Sequence, residues 1–116
     1  MRLIVAGSRT FTDAARAERL LDAIRKKHPT MQVIVGGAKG ADAVGKAWAH
    51  KRGVLWVEFP ADWDKHGKAA GPIRNEEMAK HATHLLAFWD GASKGTKHMI
   101  DHATKKGLTV HVVKYT

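Results

Sequence analysis

The sequence predicts an α/β protein in which a five-stranded parallel sheet lies between helices on both faces, as a three-layer sandwich. Short apolar runs alternate with helix-like segments five times along the chain, and the links between them are mostly short. Several of these runs are continuously apolar, as expected of strands that are covered on both faces. Because 116 residues is below the usual length for more than one domain, we expect residues 1–116 to form a single domain.

Each element follows from a local pattern. The predicted strands are residues 3–6, 33–35, 54–59, 84–89 and 108–113. The first predicted helix begins at Thr12 or Asp13, and the second has an apolar face at 43–48 and ends near Gly53. The third runs from about 73 to 81, and the fourth buries Met99, Ile100 and Ala103. His28-Pro29 ends the first helix, because the residue before a proline disfavours the α region.

Residues 61–72 show no clear periodicity. A segment of this length in a compact domain is more often a functional loop or lid than a plain connection. Trp63 lies within it and either stacks on a base or fixes the loop; the sequence leaves both interpretations open.

The amino-acid composition limits the kinds of site and partner that this protein can have. The chain has no cysteine, which excludes disulfides, thiolate nucleophiles and cysteine-held metals. It shows neither a signal peptide nor a membrane span, so we expect a cytoplasmic protein without a membrane partner. The net charge of +9 favours an anionic partner but does not distinguish a small nucleotide from nucleic acid. Much of this charge is equally compatible with a solvated helix surface.

Three glycine-containing loops, at residues 7–10, 36–40 and 91–96, each follow a predicted strand and precede a predicted helix. The carboxyl ends of parallel strands share one edge of the sheet, where open α/β folds hold their ligands. Glycine allows close backbone approach, and helix N-termini offer N–H groups to an anion. The candidate phosphate- or ligand-binding residues are Gly7, Ser8, Arg9, Gly36, Gly37, Lys39, Gly40, Asp42, Arg74, Asn75, Asp90, Gly91, Ser93, Lys94, Gly95 and Thr96.

Within this set, Gly95-Thr96 is the favoured phosphate cradle, and we expect Ser8, Lys39, Arg74 and Thr96 to converge on one anion. Two of these residues have a structural interpretation beside the ligand-binding one. Asp42 either complements the dipole of its helix or contacts a ligand hydroxyl. Arg74 either clamps a phosphate or ribose, or forms a surface ion pair with a neighbouring glutamate.

His98 and His102 have metal-ligand spacing on a helix, but the sequence offers no third ligand. We therefore predict no metal site and no cofactor. Solvated histidines are the favoured interpretation of this pair.

The ordered motifs VAGSR (5–9), GGAKGAD (36–42), AGPIRN (70–75), FWDG (88–91) and SKGT (93–96) resemble the SLOG superfamily, and most closely its small YspA-like branch, common in bacteria and phages. That superfamily unites the Smf/DprA DNA-processing proteins with the lonely-guy cytokinin-activating enzymes. The resemblance extends from Arg2 to about Val113. It implies a Rossmann-like sheet with a nucleotide site at these loops, and a homodimer is a fair expectation.

One departure concerns catalysis. The lonely-guy G-T-x-x-E motif has a glutamate that helps to cleave an N-glycosidic bond, and Met99 stands in its place here. Methionine can neither stabilise an oxocarbenium ion nor activate water. Arg74 resembles the arginine of those enzymes, and Asp42, Asp90, Glu76 or Glu77 could supply a substitute carboxylate; Arg74 and Asp42 are thus the catalytic candidates.

Three functions remain open. The first is binding of a nucleotide or nucleotide-derived ligand, such as a nucleoside phosphate or an ADP-ribose type molecule. The second is an enzyme, a phosphoribohydrolase that cleaves a nucleoside monophosphate. The third is DprA-like binding of single-stranded nucleic acid, ranked last because the aromatic residues show no regular stacking pattern.

Overall fold

A computed structural model describes residues 1–115 of the chain. Five parallel strands form one sheet in the order β3-β2-β1-β4-β5. The strands are β1 Arg2–Gly7, β2 Gln32–Val35, β3 Trp56–Glu58, β4 His84–Trp89 and β5 Thr109–Lys114. The helices are α1 Ala14–Lys27, α2 Ala41–Arg52, α3 Trp63–His66, α4 Ala70–His81 and α5 Lys94–Lys105, with a 3₁₀ turn at Gly67–Ala69.

The two faces of the sheet bury separate clusters. Leu3 and Val5 of β1 point into a core that also contains Trp48 of α2 and Leu21 of α1. The alternate residue Ile4 points to the other face, where α4 and α5 contribute, among others, Met78 and Met99. This arrangement confirms the predicted three-layer α/β sandwich.

Local sequence sets the helix ends. The Asp13 carboxylate accepts a hydrogen bond from the N–H of Arg16 at 3.1 Å, so Asp13 is the N-cap of α1. Gly53 ends α2 with a φ of +68°, a left-handed conformation that glycine adopts without strain. Both positions agree with the prediction.

The predicted third helix and the irregular segment before it need correction. Helix α4 begins at Ala70 instead of Ile73, and residues 63–69 form α3 and the 3₁₀ turn. Pro72 lies in the first turn of α4, where a missing N–H costs no intrahelical bond. A four-residue helix capped by Asp62 is too short to show periodicity, so pattern analysis missed it.

Four strands also differ in extent from the prediction. Strand β1 is one residue longer at each end, β2 begins one residue earlier, β3 covers only Trp56–Glu58, and β5 is displaced by one residue. Within residues 1–115, no helix is both long and apolar enough to cross a membrane.

Candidate ligand-binding site

The main cleft lies at the carboxyl ends of β1, the central strand, and its neighbour β4. From β1 the chain proceeds to β2 on one side, and β4 pairs with β1 on the other side, so the strand order reverses here. Open α/β sheets bind their ligands at this switch point. The cleft has a volume of about 540 Å³, and its lining includes residues 7–10 at the end of β1 and residues 93–96 after β4.

Ser8 connects the loop after β1 to its neighbours. It is 2% exposed, and its N–H donates to the carbonyl of Phe88 at 2.9 Å. Its hydroxyl oxygen accepts a hydrogen bond from the N–H of Asp90 at 3.2 Å. Its carbonyl accepts from the N–H of Ala41 at the start of α2. Ser8 thus holds the loops after β1 and β4 and the N-terminus of α2 together.

Hydrogen bonds inside the loop organise the segment between β4 and α5. One carboxylate oxygen of Asp90 accepts from the N–H groups of Ala92 at 2.9 Å and Ser93 at 2.8 Å. These two bonds lower the pKa of Asp90, because they favour its charged form. Ser93 caps α5, and its hydroxyl lies 3.0 Å from that of Thr96. The N-terminus of α5 is therefore fixed in position before any ligand arrives.

Asp42 and Arg74 meet at Gly36. The Asp42 carboxylate accepts hydrogen bonds from the N–H of Gly36 at 3.1 Å and of Ala38 at 3.4 Å. The Arg74 guanidinium donates to the carbonyl of Gly36. Burial raises the pKa of the Asp42 carboxyl, against the opposing effect of the Arg74 charge. Burial also lowers the pKa of Arg74, opposed by Asp42.

Asn75 extends this network toward α5. Its side-chain oxygen accepts from Nε of Arg74 at 3.1 Å, which places its amide nitrogen toward α5. That nitrogen donates to the carbonyl of Gly95 at 3.3 Å and lies 3.2 Å from Nδ1 of His98. Because the amide nitrogen can only donate, Nδ1 of His98 acts as the acceptor. The neutral ring then carries its proton on Nε2.

A second, smaller cleft adjoins the first. It has a volume of about 330 Å³, and the loop at residues 36–39 and residues 60–61 form much of its wall. Arg9, Ala38, Trp63 and Arg74 line both clefts. The two spaces are therefore lobes of one region, separated by a shared wall.

The predicted residues fall into three groups. The main cleft is lined by Gly7, Ser8, Arg9, Asp42, Arg74, Asn75, Asp90, Ser93, Lys94, Gly95 and Thr96. The second cleft is lined by Gly36, Gly37 and Lys39, together with Arg9 and Arg74. Gly40 and Gly91 line neither of these two clefts.

The predicted convergence is therefore found for three of its four residues. Ser8, Arg74 and Thr96 share the main cleft, whereas Lys39 lies in the neighbouring one. Gly40 has a packing role: a Cβ there would come within 2.7 Å of the Arg9 backbone. Its φ of +76° also favours glycine.

Sequence reasoning missed several lining residues. Lys68 lies in the 3₁₀ turn, and His98 lies one helical turn into α5, interpreted above as solvated. Met78 and Met99 form part of the apolar floor. Trp63, left open above, is 52% exposed and belongs to both cleft walls. Loop-after-strand patterns point only to strand ends, so they do not find residues contributed by α3 and the 3₁₀ turn.

The charges of the main cleft favour an anion. Its cations are Arg9, Lys68, Arg74 and Lys94, and its carboxylates are Asp42 and Asp90. One carboxylate is buried with a raised pKa, and the other accepts two backbone hydrogen bonds. Across residues 1–115, no group of three or more histidine and acidic side chains is arranged to hold a metal ion.

Fold and site together define a Rossmann-like α/β protein with a cationic cleft at the switch point of its sheet. Residues 1–66 match the YAcAr family, described as the YspA, cpYpsA-related SLOG family. The Gene 61 protein of Mycobacterium phage D29 is 36% identical over 116 residues, covering 94% of this chain and 93% of that protein. The chain therefore belongs to this SLOG family, which confirms the resemblance drawn from the motifs.

A solved structure confirms the architecture. DNA processing protein A (DprA) from Streptococcus pneumoniae, determined by X-ray crystallography, superposes with a TM-score of 0.80 at 16% identity. The match covers 99% of this chain and 50% of the DprA chain, so this chain spans half the length of that protein. Family membership supports a nucleotide- or nucleic-acid-related role in general terms.

Proposed function

We propose that this protein binds a nucleotide or a nucleotide-derived ligand in the main cleft, with a phosphate at the N-terminus of α5. The observation that carries this proposal is the position of the cleft. The cleft lies at the switch point of the sheet, is lined by four cationic side chains, and includes the fixed N-terminus of α5.

The phosphate is assigned to the first turn of α5. The N–H groups in the first turn of a helix have no intrahelical partner. Ser93 accepts hydrogen bonds from the N–H groups of Thr96 and Lys97. The N–H groups of Lys94 and Gly95 are the ones we assign to phosphate oxygens, with the Lys94 ammonium adding charge.

Arg9 and Arg74 have different parts in this proposal. Arg74 is half-buried and held by Gly36 and Asn75, so its guanidinium is positioned without loss of side-chain freedom on binding. Arg9 is exposed and free to adjust to the ligand. Both would donate charge-assisted hydrogen bonds to the phosphate.

Isothermal titration calorimetry with nucleoside 5′-monophosphates of the common bases tests the proposal directly. We expect binding by at least one of them, weakened about tenfold or more by Arg9→Ala, which removes a charge-assisted contact. Arg19→Ala is the matched control, because Arg19 is an exposed arginine of α1 outside both clefts. Equal losses in both variants contradict the proposal, as does absence of heat both with this panel and with nucleotide derivatives such as ADP-ribose.

A hydrolase is the second candidate, favoured by the position of Asp42. Met99 occupies the place of the lonely-guy glutamate and is only 1% exposed. Glu76 and Glu77 do not line the main cleft, whereas Asp42 does, beside Arg74 and with a raised pKa. Perturbed carboxylates in clefts are candidates for acid–base work.

Chromatography of nucleoside monophosphates incubated with the protein tests this candidate. Release of free base by the protein, together with loss of this activity in the Asp42→Asn variant, supports the hydrolase. If no free base appears at high protein concentration, only the binding function remains.

Nucleic-acid binding requires a separate measurement. A single strand held through its phosphates loses affinity with salt, by roughly 0.7 logarithmic units per logarithmic unit of salt for each contact. Fluorescence anisotropy with a labelled oligonucleotide at two salt concentrations distinguishes this mode from mononucleotide binding. The predicted homodimer is checked by light scattering.

A further inference from the structure

We infer that the ligand carries two phosphate groups, one at α5 in the main cleft and one in the second cleft beside Lys39. This inference rests on the proposed function and specifies its ligand class. The relevant chemistry is a nucleotide with a second phosphate, whether terminal, bridging to a further group, or at another ribose position.

The two lobes share cationic walls. Arg9 and Arg74 line both the 540 Å³ and the 330 Å³ clefts, so the same two cationic residues border each space. A planar guanidinium offers several N–H donors in a fixed arrangement and can contact two phosphates at once. A ligand with one phosphate in each lobe would use both sides of this wall.

The second lobe has a cation of its own, Lys39. Lys39 is exposed and lines the second cleft only. Among residues 1–115, no carboxylate lies within 4 Å of the ammonium of Lys39. A cation just before the N-terminus of α2 is unfavourably placed relative to the helix dipole. An anion between them would remove this conflict.

The carboxylate next to this lobe forms an ion pair. Glu58 lies beside Gly37, where a built Cβ would come within 3.1 Å of its side chain. The ammonium of Lys46 lies 3.1 Å from the Glu58 carboxylate and forms an ion pair with it. Repulsion of an incoming phosphate by Glu58 is thereby reduced.

Trp63 provides an apolar surface on the shared wall. Its side chain is half-exposed and belongs to both lobes, close to Gly71. The base or ribose of such a ligand could pack on the indole face. The same wall therefore offers charge for the phosphates and an aromatic surface for the nucleoside that carries them.

Calorimetry with matched ligands tests the inference. The probes are each nucleoside monophosphate, its diphosphate, its 3′,5′-bisphosphate, and ADP-ribose for the adenine series. We expect at least one two-phosphate probe to bind about tenfold more tightly than its monophosphate. Lys39→Ala should remove that advantage and leave monophosphate affinity unchanged.

Lys26→Ala, an exposed lysine near the end of α1, is the control and should change neither affinity. The two-phosphate probe that binds more tightly than its monophosphate identifies where the second phosphate is attached. If monophosphates bind and no two-phosphate probe binds more tightly, this inference is wrong and the proposed function stands. The inference is also wrong if Lys39→Ala weakens both probe types equally. If none of the probes binds, the proposed function fails as well.

Discussion

Asp42 and Arg74 are joined through the two ends of one residue, Gly36. Asp42 accepts the hydrogen bond of its N–H, and Arg74 donates to its carbonyl. Gly36, the residue after β2, thus connects α2 to α4, and the position of Arg74 in the cleft depends on this glycine.

Gly36→Ala should disturb this connection. A Cβ at Gly36 would lie 2.8 Å from Cζ of Arg74 and 2.9 Å from the Asp42 carboxylate, so one of them must move. We expect a loss of about 1–3 kcal/mol in the free energy of unfolding, measured by urea denaturation, together with weaker nucleotide binding. Gly95→Ala is the control for stability, since a Cβ there meets nothing within 4 Å. Equal stability of the two variants would contradict the expected crowding.

Asp42→Ala should destabilise the fold more than Asp42→Asn. Alanine leaves the N–H of Gly36 and of Ala38 without an acceptor, at a cost of about 1–3 kcal/mol. Asparagine keeps an acceptor oxygen and removes the negative charge beside Arg74, so phosphate affinity should be retained or increased. Parallel denaturation and calorimetry of the two variants check this order. Loss of affinity in a folded Asp42→Asn protein would instead indicate that the carboxylate contacts the ligand.

Acid pH should destabilise the protein through His84 and His102. Burial lowers the pKa of both imidazoles, with the neighbouring His28 adding to the effect at His84 and with Glu76 opposing it at His102. The unfolded chain, in which histidine has a pKa of about 6.5, then binds more protons than the folded one. The free energy of unfolding should therefore fall as the pH decreases below about 6.5.

Denaturation at pH 7.5 and pH 5.5 measures this loss. His102→Gln and His84→Gln should each reduce the difference between the two pH values, whereas His50→Gln, at an exposed residue in the last turn of α2, serves as the control. An unchanged difference in both test variants would assign the pH effect to other groups.

Met99→Glu should not restore the glutamate motif of the lonely-guy enzymes. Met99 is 1% exposed and packs in the core between the sheet and α5, where a carboxylate without partners is costly. We expect a loss of at least about 2 kcal/mol in the free energy of unfolding. Met99→Leu should cost less than about 1.5 kcal/mol. A stable Met99→Glu protein that releases free base from a nucleotide would contradict this view.

Much of the site could be predicted from strand and loop patterns. Ser8 and Thr96 follow adjacent parallel strands, so the predicted fold alone brings them to the same edge of the sheet. Lys39 follows β2, one strand further from β4, and therefore lies in the neighbouring lobe. Lys68 could not be found in this way, because a 3₁₀ turn carries no periodic pattern, and Trp63 is indicated only by its place in an aperiodic segment.

The sequence by itself determined the α/β class, the parallel sheet and the loops at its carboxyl edge, because apolar periodicity and glycine positions are local properties of the chain. Tertiary structure alone decided which side chains meet: that Arg74 and Asp42 share Gly36, that Asn75 reaches His98, and that the cleft has two lobes. These contacts join residues far apart in the chain, and their geometry depends on how the helices pack against the sheet.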